Sequence, residues 1–365
     1  MRKTLPLLAL LAAPLGAQGI ADASVIGGPQ YVNYKIGTSG ADKTVTQLSV
    51  PIAIIVPIGS RFTVDLSTAW ADSRVSSGGT ESSKISGLTD TQLRGNLSLF
   101  DGSAIFTLGL NLPTGMYKVP DGQQEAAGQI GSDFLLYPVS SMGSGAAATG
   151  GIAIAKTLGE WNLGFGGSFR KSTSFDAYEV QSDVLKFEPG SEARVRLGLD
   201  RAVGDGRISL AGTWSTFTDD CARAATQTCN DSTTFATGAR TLGQATYFVP
   251  RDWGDITLGV WDLYRAEGQQ IGAVAPSENI ANGSVAIGFN VGSMYVQPSI
   301  EGRAWTRGGE KAGATGTGGL RLRLNALGGV LNPSVNYTVG NVYPVGSTTS
   351  IDVSGWRATL LLRWP

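Results

Sequence analysis

The sequence predicts an all-β fold, a transmembrane antiparallel up-and-down β-barrel, and three observations carry this prediction. Apolar and polar residues alternate along segments of about ten residues, the length that a tilted strand needs to cross a bilayer. Short turns and long polar connections follow one another in alternation, as in barrels that have tight turns on one side of the membrane and longer loops on the other. Charged residues make up only 16% of the 365 residues, so part of the surface is expected to face lipid rather than water.

The composition also excludes several other classes of protein. The mean hydropathy of +0.03 is too low for a bundle of membrane-spanning helices, each of which needs about 20 apolar residues. The chain contains no histidine, which removes the Ser-His-Asp and Cys-His arrangements and the commonest ligand of catalytic zinc. A net charge of -1 provides no basic surface for nucleic acid. We therefore predict no enzymatic activity, no cofactor, no metal site and no nucleic-acid partner.

The first element is a secretory signal peptide over residues 1–17. Residues 1–3 are basic, residues 5–15 form an apolar stretch, and cleavage is expected between Ala17 and Gln18. A buried first helix is the alternative, which is disfavoured because no amphipathic helix continues from it. Residues 18–365 are predicted to form a single outer-membrane β-barrel domain with long outer loops.

The strands are assigned in chain order from the period-two alternation. After a first strand near residues 30–38, segment 61–70 places Phe62 and Leu66 on one face and Arg61 and Asp65 on the other. The same pattern recurs in segments 191–200, 319–327 and 351–364. Counting the segments between turns predicts about sixteen strands, within a range of roughly 12 to 16, and an even number places both chain ends on the periplasmic side.

The long connections are predicted at one end of the barrel. They cover residues 71–88, 113–147, 172–190, 217–237, 266–281, 307–318 and 341–350. An apolar run at 129–140 falls inside the second of them, and it either folds into the lumen or forms an additional strand. Cys221 and Cys229 lie in the fourth connection, where an oxidising compartment favours a disulfide that staples the loop.

With the apolar face assigned to lipid, charged residues line the interior. The lumen-lining candidates are Arg61, Asp65, Arg94, Arg170, Glu192, Arg194, Arg196, Glu301, Arg303, Arg321, Arg323 and Arg357. Arginines outnumber acids in this set, so a water-filled lumen would favour anions. The alternative is that the arginines pair with loop acids such as Asp219, Asp220 and Glu310 and hold the loops in place.

Aromatic residues near the strand ends are predicted to form interfacial girdles. These residues are Trp70, Trp161, Trp214, Trp253, Tyr337, Trp356 and Trp364.

One stretch supports a family resemblance. Residues 88–115, LTDTQLRGNLSLFDGSAIFTLGLNLPTG, contain an Asp before an alternating strand, a tight turn, and a second strand that ends in a Leu-Pro-Thr-Gly corner at 112–115. This pattern resembles the outer-membrane transporter family associated with meta-pathway phenol degradation. The resemblance implies a barrel that passes hydrophobic or aromatic compounds, akin to the long-chain fatty-acid transporters.

Together these observations predict a protein in the outer membrane of a Gram-negative-type bacterium that passes small hydrophobic, aromatic or carboxylated solutes through an arginine-lined lumen. The predicted partners are outer-membrane lipid, the solutes and the barrel-assembly machinery. A non-transporting structural or surface-receptor barrel is the first alternative. A secreted β-sandwich is the second, and it would be extracted without detergent.

Overall fold

The computed structural model describes residues 23–37, 42–116, 118–180, 183–270, 273–326 and 328–364. The predicted signal peptide, residues 1–17, lies outside the described residues.

Within the described ranges the chain forms one closed antiparallel β-barrel of 16 strands, as predicted from the sequence. Two strands are each interrupted once. The strands are β1 (Ser24–Gly27 and Gln30–Ile36), β2 (Lys43–Ile58), β3 (Phe62–Ser77), β4 (Thr80–Leu88 and Thr91–Leu99), β5 (Ala104–Leu112), β6 (Ala147–Leu158), β7 (Trp161–Ser172), β8 (Glu192–Val203), β9 (Gly206–Phe217), β10 (Arg240–Arg251), β11 (Gly254–Arg265), β12 (Glu278–Val291), β13 (Met294–Arg307), β14 (Glu310–Ala326), β15 (Gly329–Val342) and β16 (Ile351–Trp364).

The barrel closes where the last strand pairs with the first. Val25 lies opposite Trp364, and Tyr31 lies opposite Ala358. Closure is required because hydrocarbon cannot hydrogen-bond to the unpaired backbone of an edge strand. In the described residues, no helix is long and apolar enough to cross a bilayer.

The outer surface is apolar, as the alternation predicts. Leu66, Leu197 and Ile300 are typical of the many large apolar side chains that remain exposed along the strands. A folded protein in water rarely exposes a continuous apolar surface of this extent. Lipid covers this apolar surface, so the protein is an outer-membrane β-barrel.

The strands extend further at the long-loop end than the sequence analysis predicted. Residues 71–88 were expected to be a polar connection, but β3 and β4 continue through them to a turn at Gly78 and Gly79, whose φ values are 58° and 85°. Residues 307–318 are likewise part of β13 and β14, which meet at residues 308–309. These segments are polar because they rise above the lipid, where water solvates the outer face without interrupting the strand pairing.

Other long connections contain strands of their own. A four-stranded sheet consists of Phe175–Val180, Asp183–Glu188, Asp220–Ala224 and Thr234–Phe235. Residues Gly268–Gln270 and Ala273–Ala275 form a small hairpin. Cys221 and Cys229 form a disulfide within the loop that follows β9.

The connection between β5 and β6 folds into the barrel. Residues 113–146, named here the inward loop, contain the helix α1 (Gln124–Ile130), and the apolar run 129–140 lies in the lumen rather than in the wall. Phe134 and Ile130 of this loop pack against inner-face residues such as Val32, Val45 and Ile85. The inner wall is apolar in this sector because protein, rather than water, covers it. The strand count therefore stays at 16.

Candidate functional site

The inward loop divides the lumen into a covered and an open side. Its buried side chains contact the long-loop half of β1–β4 and residues of β11–β16. A cavity of about 360 Å³ remains against the inner face of β3–β8. The lining of this open side consists largely of arginine, threonine, serine and glycine.

Four arginines predicted to line the lumen meet on the open side. Arg94 of β4, Arg170 of β7 and Arg194 and Arg196 of β8 border the cavity. We name this surface the arginine wall. Inward-facing glycines at 109, 151 and 166 add no side chains in front of the guanidinium groups, so the cavity stays open.

Acids of the described residues neutralise two of these four guanidinium groups. Arg94 Nε donates to Asp65 Oδ2 at 2.9 Å, and Arg194 pairs with Glu192 on its own strand. Arg170 lies opposite Glu192 in the strand pairing, but the Glu192 carboxylate hydrogen-bonds to Arg194. In the described part of the chain, Arg170 and Arg196 have no hydrogen bond or ion pair. The wall therefore carries an excess of positive charge.

Two further arginines of the predicted set hold the inward loop. Arg303 donates to the carbonyl oxygen of Phe134, and Arg357 donates to those of Leu135, at 3.2 Å, and Leu136. These bonds hold a loop in place, as the alternative prediction proposed. Their acceptors are backbone carbonyl oxygens, however, and not the predicted acids Asp219, Asp220 and Glu310. A loop inside a lumen presents backbone carbonyls, and the five donors of a guanidinium group satisfy them well.

Other contacts of the inward loop come from residues that the sequence analysis missed. Gln47 of β2 is fully buried, and its amide group bonds both backbone polar groups of Val139, at 2.7 and 2.9 Å. Arg265 pairs with Asp133 at 2.5 Å. The ring of Phe134 stacks on Trp305 with centroids 5.2 Å apart. Because these partners are far apart in the chain, no local pattern identifies them.

The Asp and the Leu-Pro-Thr-Gly corner of the 88–115 stretch form one structural unit. Asp90 accepts hydrogen bonds from the backbone N–H of Gly115 at 3.1 Å and of Ser144 at 2.7 Å, and from Asn111 Nδ2 at 2.8 Å. The hydroxyl group of Thr114 lies 2.9 Å from the N–H of Thr91, which donates to it. Asp90 thus joins the two ends of the inward loop, a role that the sequence pattern alone did not reveal.

Gly115 in this unit cannot be replaced by a larger residue without movement. A Cβ atom at this position would collide with the backbone of Thr89, Asp90 and Met142. The glycine of the corner is therefore required because two backbone segments approach it closely.

The remaining lumen-lining candidates lie away from the arginine wall. Arg61 is exposed beside the turn between β2 and β3, and Glu301 pairs with Arg303 at 2.5 Å. Near the short-turn end, the Arg323 guanidinium lies 5.4 Å from the ring centre of Tyr295, whose hydroxyl group bonds Asp255 at 2.7 Å. Arg321 is on the same strand as Arg323, two residues earlier.

The predicted girdle residues lie at two levels. Trp161, Trp253 and Trp364 are next to the short turns or the C-terminal end of β16, whereas Trp70, Trp214, Tyr337 and Trp356 lie towards the long loops. Trp356 and Tyr337 contact each other with ring centroids 4.4 Å apart. Among the described residues, no group of three or more His, Cys, Asp or Glu could hold a metal ion.

No protein-family model matches the chain, and no curated protein matches it in sequence. Among solved structures, OccK11 (OpdR) of Pseudomonas aeruginosa has a TM-score of 0.46 at 11% identity, covering 94% of this chain and 95% of that chain. OmpT, an outer membrane protein of Vibrio cholerae, has a TM-score of 0.45 at 8% identity, covering 96% and 99%. The CymD monoaromatic hydrocarbon channel has a TM-score of 0.43 at 7% identity, covering 94% and 88%.

Proposed function

We propose that this outer-membrane barrel passes small anionic solutes along the arginine wall. The observation that carries the proposal is that the inward loop leaves this wall uncovered while two of its guanidinium groups, Arg170 and Arg196, lack an acidic partner among the described residues. Positive charges along a narrow aqueous passage lower the electrostatic barrier for anions and raise it for cations.

Within this class we propose carboxylated compounds, including hydrophobic and aromatic carboxylates. The aromatic part of this proposal comes from the resemblance of the 88–115 stretch to the meta-pathway phenol degradation family. The carboxylate part comes from the arginine wall, because guanidinium groups bind carboxylates through paired hydrogen bonds. We infer no enzymatic step, since a chain without histidine lacks the usual general base. Insertion by the barrel-assembly machinery stays a prediction.

Ion selectivity in a planar bilayer tests the proposal. In a KCl gradient the reversal potential of the wild-type protein is expected to show preference for chloride. The double variant Arg170→Gln/Arg196→Gln is expected to lose most of that preference. The matched control is Arg201→Gln/Arg251→Gln, which removes the same charge from arginines that pair with Glu160 and Asp205 near the short turns. A cation preference of the wild-type protein would contradict the proposal.

A non-transporting barrel is the second candidate, and one observation favours it. The inward loop fills part of the lumen with a buried apolar cluster that includes Phe134 and Tyr137. If the loop closes the lumen completely, bilayers containing the pure protein will stay sealed at all voltages and liposomes containing it will not swell in small sugars or salts. Either conductance or swelling would exclude this candidate.

A further inference from the structure

We infer that Arg240 and Arg265 form a second anion site, at the long-loop entrance of the lumen, and that the Asp133 carboxylate of the inward loop is its built-in counter-ion. The site takes one monovalent anion, such as chloride or a single carboxylate group. Asp133 keeps this binding weak, so that an anion is admitted and released rather than trapped. The inference deepens the proposed function and rests on it, because it adds an entrance step to anion passage.

The site lies in a row of paired residues that crosses the strands from β8 to β13. The side chains of this row face the lumen, because the alternate positions beside them, Trp214 and Tyr264, are exposed on the outer surface. Arg240 begins β10 and Arg265 ends β11, so the row lies at the long-loop end. Arg194 belongs to both this row and the arginine wall, and therefore connects the two. The row consists of Arg194, Ser215, Arg240, Arg265, Glu278 and Arg307.

Two arginines of the row are directly opposite each other. Arg240 of β10 is paired with Arg265 of β11, and like charges at opposed positions repel each other. Arg265 is compensated by Asp133 at 2.5 Å and by Glu278 at 3.3 Å. Arg240 is exposed and, within the described ranges, has no hydrogen bond or ion pair. Its guanidinium carbon lies 6.0 Å from the ring centre of Phe217, so the N–H donors of Arg240 are available to a ligand.

The charges around this pair leave one unit of positive charge uncompensated. Glu278 is shared, because it also lies 3.2 Å from Arg307. The guanidinium groups of Arg240, Arg265 and Arg307 therefore face the carboxylates of Asp133 and Glu278 alone among the described residues. One monovalent anion completes the balance. The side chains of Arg265 and Asp133 are 31% and 38% exposed, so water and small anions reach them.

Asp133 occupies the guanidinium group that an incoming carboxylate would use. It belongs to the inward loop, and the next residue, Phe134, is fixed by the bond from Arg303 to its carbonyl oxygen. The Asp133 carboxylate therefore stays at the site, where its charge acts on Arg240 as well as on Arg265. An entering anion is attracted by Arg240 and repelled by Asp133. This opposition makes the site a point of exchange.

The test measures the chloride-to-potassium permeability ratio, from reversal potentials in a KCl gradient, in variants that each change one charge. Arg240→Gln is expected to lower the ratio and Asp133→Asn to raise it, each by about threefold, the effect of one unit charge about 6 Å from an ion in water. Arg240→Lys keeps the charge and is expected to keep the wild-type ratio, which separates charge from packing on Phe217. An unchanged ratio in Arg240→Gln, or a lower one in Asp133→Asn, would overturn the inference.

The matched control is Arg74→Gln, which removes the same charge at the long-loop end of β3. Arg74 points to the outer face, because its neighbours Ser73 and Val75 are fully buried on the inner face. The permeability ratio is expected to stay unchanged in this variant. A decrease as large as in Arg240→Gln would show that any positive charge near the entrance has this effect, and the assigned site would be wrong.

Chlorine NMR separates this inference from the proposed function, because it does not depend on conduction. Chloride that binds to the detergent-solubilised protein broadens the chlorine signal, and we expect less broadening in Arg240→Gln and more in Asp133→Asn. Broadening that depends on Arg240 in a protein that keeps bilayers sealed would contradict passage and support the site. If instead Arg170→Gln/Arg196→Gln loses the chloride preference while Arg240→Gln changes neither measurement, the proposed function stands and the inference fails.

Discussion

Removing the carboxylate of Asp90 is expected to release both ends of the inward loop. The Asp90→Ala variant deletes the acceptor shared by the N–H groups of Gly115 and Ser144, which lie at the start and the end of this loop. Asp90 is only 7% exposed, so water does not replace these bonds without a local opening of the structure.

The loss of the two backbone hydrogen bonds sets the decrease in the free energy of opening. A hydrogen bond to a charged acceptor contributes about 1.5–3 kcal/mol, so losing both lowers the free energy of opening at the loop ends by about 3–6 kcal/mol. The corresponding increase in amide exchange is about 10²- to 10⁴-fold. Asp90→Asn, which keeps one side-chain oxygen acceptor, is expected to show a smaller increase.

Hydrogen–deuterium exchange followed by mass spectrometry measures this directly at the Gly115 and Ser144 amides. The matched control is Asp65→Ala, which removes another carboxylate from the inner face, one that bonds Arg94 and Asn96 but not the inward loop. The reasoning is refuted if both amides exchange as slowly in Asp90→Ala as in the wild-type protein. It is also refuted if the control shows an equal increase in exchange.

Three further predictions concern the inward loop and the outer loops. Gln47→Ala removes two bonds to the backbone of Val139 and is expected to destabilise the loop by about 2–3 kcal/mol, seen as larger fluctuations of the open-channel current. The Lys43 ammonium group lowers the pKa of Glu125, so the stabilisation of α1 by this ion pair is present at neutral pH. It should be lost as the pH falls through the lowered pKa, and exchange of the α1 amides should show this pH dependence in the wild-type protein but not in Lys43→Gln. Cys221→Ser opens a disulfide that spans eight positions and is expected to cost about 2.5 kcal/mol, measured as faster tryptic cleavage of that loop with the barrel intact.

Particular elements show how far the sequence could be interpreted. Segment 61–70 alternates clearly because one face of β3 meets lipid and the other meets the lumen, so its strand and its orientation were predictable. Residues 71–88 were assigned wrongly because polarity signals exposure to water and cannot separate a loop from a strand that rises above the lipid.

The function of individual inner-face residues was less predictable. Arg170 and Arg303 look alike in sequence, each lying in an alternating strand. Only the position of the inward loop distinguishes them, because Arg303 bonds the carbonyl oxygen of Phe134 and Arg170 remains open to the cavity. The pattern in 88–115 was visible in the sequence. The role of Asp90 in joining the two ends of the inward loop was not visible, because its bond to Ser144 appears only in the structure.

The sequence by itself determined the class of the molecule: a closed barrel of about 16 strands with short turns at one end and long loops at the other. It could do so because a period of two specifies which face meets lipid, and closure is the one arrangement that pairs every strand edge in hydrocarbon. The tertiary structure alone decided that residues 113–146 enter the lumen and which arginines stay open to the cavity. These features depend on contacts between residues 169 and 222 positions apart, Arg303 with Phe134 and Arg357 with Leu135, and contacts at that separation leave no periodic trace in the chain.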